Sequence, residues 1–417
     1  MKVVRYGIYT LLAFSVFAHG GVEPWARAVF EAGAGALFLF WAIRFWTTRE
    51  GSLFISPLLP SLVALLFLAL AQWAFHLSAV PYATRVESQL LLADVLVLFL
   101  ASQTLRELAG WKSFVWFCMI FAFLVSIFGI LQHLTFNGKL YWFREMSYGG
   151  IPFGPYVNRN HFAAFAELTV PFSLIPLVLG KVRRERLFIV AVFAVVQVAA
   201  LFLSASRGGI ISFACQIAFL IVLLLLRRER TKALAIGAAV LVLALGVVSW
   251  LGVRQILLRF SALQSLEVSE NKRAAMARGT WHIFLDHPLW GTGLGTIQAV
   301  YPPYELLYDA KVVNHSHNDY LEALAETGML GGLCCAFFLA TLLLESRRRV
   351  LRPASSFAAS LQWAAIIACF GFLVHSLVDF NVHVPANLLL FFLIATLATA
   401  EISVPKSLPT SRSALAR

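Results

Sequence analysis

Apolar runs of about twenty residues recur along this chain, separated by short, mostly basic segments. A run of that length matches the roughly 20 residues a helix needs to cross the hydrocarbon of a bilayer. Twelve such runs can be read, at approximately 3–19, 28–46, 57–77, 87–105, 113–133, 160–180, 187–204, 208–226, 233–252, 319–344, 357–378 and 383–401. A membrane barrel would instead alternate over segments of about 10 residues. The composition agrees: 60% of the 417 residues are hydrophobic and 13% are charged, where soluble domains hold about 25% charged residues. The fold class expected is an all-α polytopic membrane protein of about 12 transmembrane helices. The least regular spans are the first, which holds Arg5, and the fourth, which holds Asp94.

The net charge of +12 does not call for nucleic acid. The cations cluster in short connectors, as in Lys181-Val182-Arg183-Arg184-Glu185-Arg186 and Arg227-Arg228-Glu229-Arg230. That pattern is the orientation signal of membrane proteins. With the N-terminus inside, the inner connectors hold most of the basic residues. Both termini are then cytoplasmic, and a long extracytoplasmic loop, about 253–318, joins spans nine and ten. Residues 1–404 read as a single transmembrane domain and 405–417 as a disordered cytoplasmic tail. No cleavable signal peptide is evident. The five cysteines lie within apolar runs at spacings that suggest no metal site.

Polar chemistry concentrates where the long loop enters span ten. Asn314-His315-Ser316-His317-Asn318-Asp319-Tyr320-Leu321-Glu322 continues through Glu326, Gly328, Gly331 and Gly332. Asp319, Glu322 and Glu326 fall on one helical face. Acids at such a depth usually face a protein interior or a watery cavity. Helix capping by Asn318 or Asp319 would explain one of these residues but neither histidine. His315 and His317 could begin a zinc site, but a third ligand at a suitable spacing is missing, so no metal is expected.

Other outer segments add candidates. Ser204-Ala205-Ser206-Arg207-Gly208-Gly209 places a guanidinium at the membrane surface beside two residues without bulk. Such a group suits bidentate binding of phosphate oxygens, or serves as an interfacial anchor or a partner for Glu326 or Asp379. The long loop contains an amphipathic helix, about 271–285, whose apolar residues include Ala274, Ala275, Met276, Trp281 and Phe284. His287-Pro288 ends it, and Gly291-Thr292-Gly293-Leu294-Gly295 makes a flexible turn. That turn is a poor dinucleotide fingerprint, since no strand–turn–helix unit surrounds it. The loop cations are Arg254, Arg259, Lys272, Arg273, Arg278 and Lys311, and the helix bearing Arg273 and Arg278 leads towards the glycine turn. A second cluster, His375, Asp379, Asn381, His383 and Asn387, flanks the junction of spans eleven and twelve. It lines the same cavity as His317 or forms a separate structural pair.

At these residues the chain resembles the O-antigen ligase and polymerase superfamily of bacterial envelope enzymes. The matching pieces are Asn158-Arg159-Asn160-His161, Ser206-Arg207-Gly208, Asp286-His287-Pro288-Leu289-Trp290-Gly291-Thr292-Gly293, and His317-Asn318-Asp319-Tyr320-Leu321-Glu322 with Glu326, Gly328 and Gly332. They cover about 150–335, and their order and placement carry the resemblance. It implies transfer of a glycan from an undecaprenyl-diphosphate carrier to a glycan or lipid A-core-like acceptor, at the periplasmic face of the inner membrane. It implies no metal, no cofactor and no nucleic acid. The family's functional arginine falls on Arg207 and its histidine on His317. Its loop arginine falls on Arg273, with Arg278 or Arg254 as alternatives. Asn160, Asn318 and Glu322 complete the expected substrate-binding set together with His315, an extra histidine to which the family pattern assigns no role. In this picture His317 is the base for the acceptor hydroxyl, and the arginines stabilise the departing diphosphate. A transporter of the same lipid-linked glycan, or a non-catalytic scaffold, would share the cations without needing the base. Internal symmetry between halves would favour a transporter, and none is found.

Overall fold

The computed structural model describes residues 1–48, 53–105, 107–145, 151–232, 234–238, 270–308, 311–350 and 357–402. Its helices are α1 (Lys2–Phe17), α2 (Pro24–Thr48), α3 (Leu59–Ala74), α4 (Pro81–Thr104), α5 (Leu108–Leu134), α6 (Arg159–Val178), α7 (Arg184–Leu203), α8 (Arg207–Leu226), α9 (Glu270–Asp286), α10 (Asp319–Val350), α11 (Phe357–His375) and α12 (Pro385–Thr399). Among the described residues, eight helices are long and apolar enough to cross a membrane, and α3 and α12 are shorter apolar helices. Eleven of the twelve expected spans coincide with helices here. Most of the ninth, 233–252, together with Arg254, Arg259 and the tail 405–417, lies outside the described residues. The chain is an all-α, multi-pass membrane protein.

Local sequence sets the helix starts. Asn158 Oδ1 accepts from the Asn160 amide at 2.9 Å and opens α6, and Ser206 Oγ accepts from the Gly209 amide at 3.1 Å and opens α8. Such caps satisfy amides that have no intrahelical partner. Pro81 and Pro385 stand in the first turns of α4 and α12, where the missing N–H costs nothing.

The core of the bundle is α6, α11 and α12. Nearly every residue of α6 and α12 is buried, whereas α2, α7 and α8 turn Ile43, Trp46, Phe188, Val195 and Leu226 outward. Two prolines, Pro171 and Pro176, lie inside α6. Pro171 cannot donate to the carbonyl four residues back, which is that of Glu167. Gln216 of α8 takes up the slack: its Nε2 donates to the Glu167 carbonyl at 3.0 Å and to the Ile367 carbonyl at 3.1 Å. In lipid such a carbonyl must find a protein donor, so this buried glutamine binds α8 to both central helices.

The helix ends gather at two faces. One joins the turn after α1, the end of α3, residues 135–145 and 151–158, the α7–α8 turn, the described part of the α9–α10 connection and the α11–α12 turn. There Tyr141 Oη donates to the Phe17 carbonyl at 2.5 Å, Tyr156 Oη to Asn387 Oδ1 at 2.9 Å, and the Ala79 amide to the Thr292 carbonyl at 2.7 Å. The opposite face holds Lys112, Arg186, Arg227 and Arg349.

Two expectations change. Span ten is not one uninterrupted helix: α10 breaks at Gly328 (φ +62, ψ −163). The amides of Met329 and Leu330 turn instead to the carbonyls of Pro288 and Leu289, at 2.7 and 3.4 Å. The long loop thus wedges into the break, and the three acids sit on the short segment above it. The glycine turn is not flexible either. Gly291, Gly293 and Gly295 take φ of +71, +110 and +77, a region that only glycine enters freely. Their loop is fixed by Glu326, whose carboxylate accepts from the amides of Gly295 (2.9 Å) and Ile297 (3.0 Å). Gln72 of α3 also donates to the carbonyls of Trp290 (2.5 Å) and Glu326 (2.8 Å) and accepts from the Leu294 amide at 3.1 Å.

The loop helix α9 forms as expected, but with another buried face. Met276 and Ile283 pack with Ile297, Tyr301, Val313 and Ala325 in a satellite core, while Trp281 and Ala274 are exposed. Burying such side chains contributes about 1.5–3 kcal/mol each, enough to dock the loop on the first segment of α10.

Candidate active site

His317 is placed by its neighbours. Asn318 Oδ1 accepts from the amides of Tyr320 (3.1 Å) and Leu321 (3.0 Å), capping α10, and its Nδ2 donates to the Leu377 carbonyl at 3.0 Å. The Asp319 amide donates to the Ser376 carbonyl at 3.0 Å. These bonds fasten the start of α10 to the turn after α11, and that turn supplies Asp379. His317 takes φ +54, an uncommon conformation for a residue with a side chain. Its Nδ1 lies 3.1 Å from Asp379 Oδ1. Asn160 Nδ2 donates to Asp379 Oδ2 at 2.7 Å, and the Phe380 amide to Oδ1 at 2.9 Å. Burial alone would raise the Asp379 carboxyl. The hydrogen bond to His317, then the charges of His317, His161 and His375, outweigh it and hold the group well below the usual carboxylate range.

A second histidine–carboxylate group lies on the other side of Phe380. Glu322 is fully buried. Its Oε1 is 2.7 Å from His315 Nδ1 and 3.2 Å from His383 Nε2, and its Oε2 accepts from the Ser316 amide (2.7 Å) and hydroxyl (3.0 Å). His383 Nδ1 is 3.1 Å from Asp319 Oδ1. Burial alone would lower His383. Glu322, then the hydrogen bond and charge of Asp319, push it up to about 10, so His383 is a cation between two carboxylates. The Phe380 ring stacks on His315 with centroids 4.5 Å apart, and meets His161 and His317 edge-on at 4.8 and 4.9 Å.

Arg207 is reached through α8. It opens that helix, and its neighbour Gly208 lies against His375: a Cβ there would stand 2.7 Å from His375 Nε2. The bulk removed at Gly208 therefore admits another helix of the same chain. His375 Nδ1 is in turn 3.1 Å from Glu167 Oε1 of α6, both fully buried. Both Gly208 and Asp379 are thus built onto the end of α11.

Residues 189–336 match the family model described as O-antigen ligase. Teichuronic acid biosynthesis protein TuaE of Bacillus subtilis (strain 168) is similar, at 26% identity over 302 residues, 69% of this chain. The match spans 59% of that relative's length. The O-antigen ligase-like segment contains Arg207, Arg273, Arg278, His315, His317, Asn318 and Glu322. Asn160, Glu167, His375, Asp379 and His383 come from outside it.

The structure brings the expected residues together unevenly. Asn160 and His317 meet on Asp379, and His315 meets Glu322. The amide of Asn318 is engaged as cap and clamp. Arg273 is half-buried with Nε lacking a hydrogen-bond partner, and Arg278 is exposed. Neither loop arginine forms an ion pair among the described residues. In the sequence Asp379 and His383 belong to a cluster of open purpose, His161 stands in a family-like motif without a role of its own, and nothing marks Glu167 or Phe380. The signal available was the spacing of His375, Asp379 and His383 around a span junction.

Three residues have the donor types for a cation: ligand atoms of His315, Glu322 and His383 lie within 4.8 Å of one another. Of the two histidines weighed for zinc in the sequence, only His315 belongs to this group; Glu322 and His383 are its companions, and His317 stands on Asp379 instead. In this arrangement the histidine nitrogens face carboxylate oxygens, and a divalent ion would have to displace the protons between them.

A cavity of about 410 Å³ begins beside Asp319, Glu326 and His383 and runs between α3, α4, α10 and α12. Its walls are mostly apolar, with Leu62, Leu65, Leu91, Phe338 and Phe391 among them. Asp94 also lines it, buried, with neither oxygen hydrogen-bonded.

Proposed function

We propose that this chain is a metal-independent glycosyltransferase that moves a glycan from an undecaprenyl-diphosphate carrier to an acceptor hydroxyl, in the manner of an O-antigen ligase. The face bearing His317 is assigned to the periplasmic side of a bacterial inner membrane, because the cations of the short connectors lie at the opposite face. The observation that carries the reading is the His317–Asp379 pair. An ionised carboxylate on Nδ1 fixes the tautomer that leaves Nε2 free to accept a proton, and it stabilises the imidazolium that follows.

The step is a substitution at the anomeric carbon. His317 Nε2 takes the acceptor hydroxyl proton as the oxygen bonds to that carbon. The bond to the diphosphate oxygen breaks, and the lipid diphosphate leaves with the electron pair. Arg207, with Arg273 from the loop, balances that charge. The apolar cavity beside Asp319 and His383 suits an isoprenoid tail. Asn160 supports the base through Asp379, and His315 and Glu322 shape the acceptor side.

A second reading is polymerisation. The Bacillus relative is named for biosynthesis of teichuronic acid rather than for ligation. Purified protein given a lipid-diphosphate glycan and candidate acceptors separates the readings: one transfer per acceptor marks a ligase, and a ladder of carrier-linked products marks a polymerase. If no glycosidic bond forms with any acceptor while the donor crosses vesicles, the chain is a transporter and the enzyme reading fails.

A further inference from the structure

The face opposite His317 carries a second cavity, of about 340 Å³, which the transfer reaction does not use. Four cations from separate places in the chain line it: Lys112 of α5, Lys181 and Arg183 of the α6–α7 connector, and Arg186 of α7. Among the described residues no Asp or Glu lines it. Cations in short connectors are the ordinary orientation signal, and by itself that would leave them scattered. Two observations point further. Arg186 is held over the Trp116 ring at 5.2 Å, and Lys112 over the Phe357 ring at 5.7 Å, so aromatic faces aim these long side chains. The lining also descends: Trp116 and Met119 follow Lys112 along α5, and Phe172 of α6 lies below the connector. Met119 stands seven residues beyond Lys112, about 10 Å along the helix axis at 1.5 Å per residue. The cavity therefore has a cationic rim over an apolar floor, the polarity of a phospholipid at the headgroup boundary. A free phosphate would meet only the rim.

We propose that this cavity is a binding site for an anionic phospholipid with two phosphates, such as a diphosphatidylglycerol, drawn from the leaflet at the basic end of the bundle. The rim cations contact the phosphates, and the floor takes the glycerol and the first acyl carbons. Basic pockets between membrane helices recognise such headgroups.

The test uses the full-length protein in nanodiscs of phosphatidylcholine with a minor fraction of diphosphatidylglycerol, with retained lipid counted by native mass spectrometry. A control variant, Arg184→Ala with Arg228→Ala and Arg230→Ala, removes exposed cations that do not line the cavity. A site variant combines Lys112→Ala, Lys181→Ala and Arg186→Ala. One retained two-phosphate lipid is expected on wild type and control. The site variant should lose affinity by about fivefold per cation. Should that variant not fold, Arg186→Gln alone should still weaken retention about fivefold. Equal retention by site and control variants would overturn the proposal in favour of general basicity. Equal retention of phosphatidylglycerol would overturn the two-phosphate claim. Inorganic diphosphate binding in detergent as tightly as the lipid, without competition from it, would make this a soluble-anion site instead.

Discussion

The two ends of this bundle handle charge in opposite ways. At the His317 end the charged groups are buried and joined to one another: Asp319, Glu322, Glu326 and Asp379 are almost inaccessible, and each has a named donor. At the other end Lys112, Arg183 and Arg186 are exposed: Lys112 and Arg186 lie over aromatic faces, and Arg183 stands 3.8 Å from the exposed Glu185. Burying an ionised carboxylate is costly unless hydrogen bonds replace its water, and these four have such bonds, so the first end is specified residue by residue. Exposed cations keep their water and can meet a phosphate at the surface. The two boundaries of one bundle thus carry different constructions: buried, paired carboxylates on one side, and a cavity rimmed by solvated cations over an apolar floor on the other.

That contrast can be broken by substitution, and the largest effect is expected at His317. His317→Ala should lower glycan transfer by about 10²–10⁴-fold, the usual contribution of a general base, while binding of the lipid-linked donor persists. Transfer and donor binding measured on one preparation decide it, and transfer within a few-fold of wild type would remove His317 from the reaction. Next is Asp379→Asn, which keeps the shape and the Asn160 contact but removes the charge behind the imidazole. A loss of roughly 10²-fold or more in kcat is expected, by comparison with the aspartate of Ser-His-Asp enzymes. An unchanged rate would make the pair structural.

Arg207→Lys should have a smaller but clear effect, at least tenfold, because lysine keeps the charge and loses the fork that grips two phosphate oxygens. Near-normal transfer at normal expression would reassign Arg207 as an interfacial anchor. Exposed basic residues at the opposite end, such as Arg184, should tolerate the same exchange without change.

The smallest effect concerns stability. His383 is raised to about 10 by Glu322 and Asp319 against the opposing effect of burial. A group raised in the folded state contributes stability that is fully present below its ordinary value near 6.5 and is lost as pH rises through about 10. The melting temperature in detergent should therefore fall by several degrees between pH 7 and pH 10. His383→Gln should melt lower at pH 7 and flatten that limb. An unaltered limb in the variant would show that another group sets it.

Much of the fold was legible because lipid leaves the chain little choice. A run such as Phe114–His133 must be helical in a bilayer, since its backbone groups have no water to turn to. The boundaries of α6 and α8 were close because Asn158 and Ser206 are strong caps. The break at Gly328 was not legible, since the amides it frees are met by carbonyls some forty residues earlier in the chain. The face buried by α9 differs for a related reason: Trp281 is the largest side chain locally, but the partners that cover the helix, Ala325 and Val313 among them, pack with Met276 and Ile283.

The candidate site divides in the same way. His317, Arg207, Glu322 and Asn160 stood out because polar residues at membrane mouths are costly. The sequence by itself determined that this chain spans a membrane many times, and that histidines, acids and arginines collect at the outer-loop junctions. Only the tertiary structure decided the pairings: Asp379 with His317 across 62 residues, His383 with Glu322 across 61, and Gln216 with the carbonyl that Pro171 leaves free. The reason is physical. Transfer free energy is a property of each segment and is written along the chain. A hydrogen bond between segments depends on which helices become neighbours, and no local stretch records that.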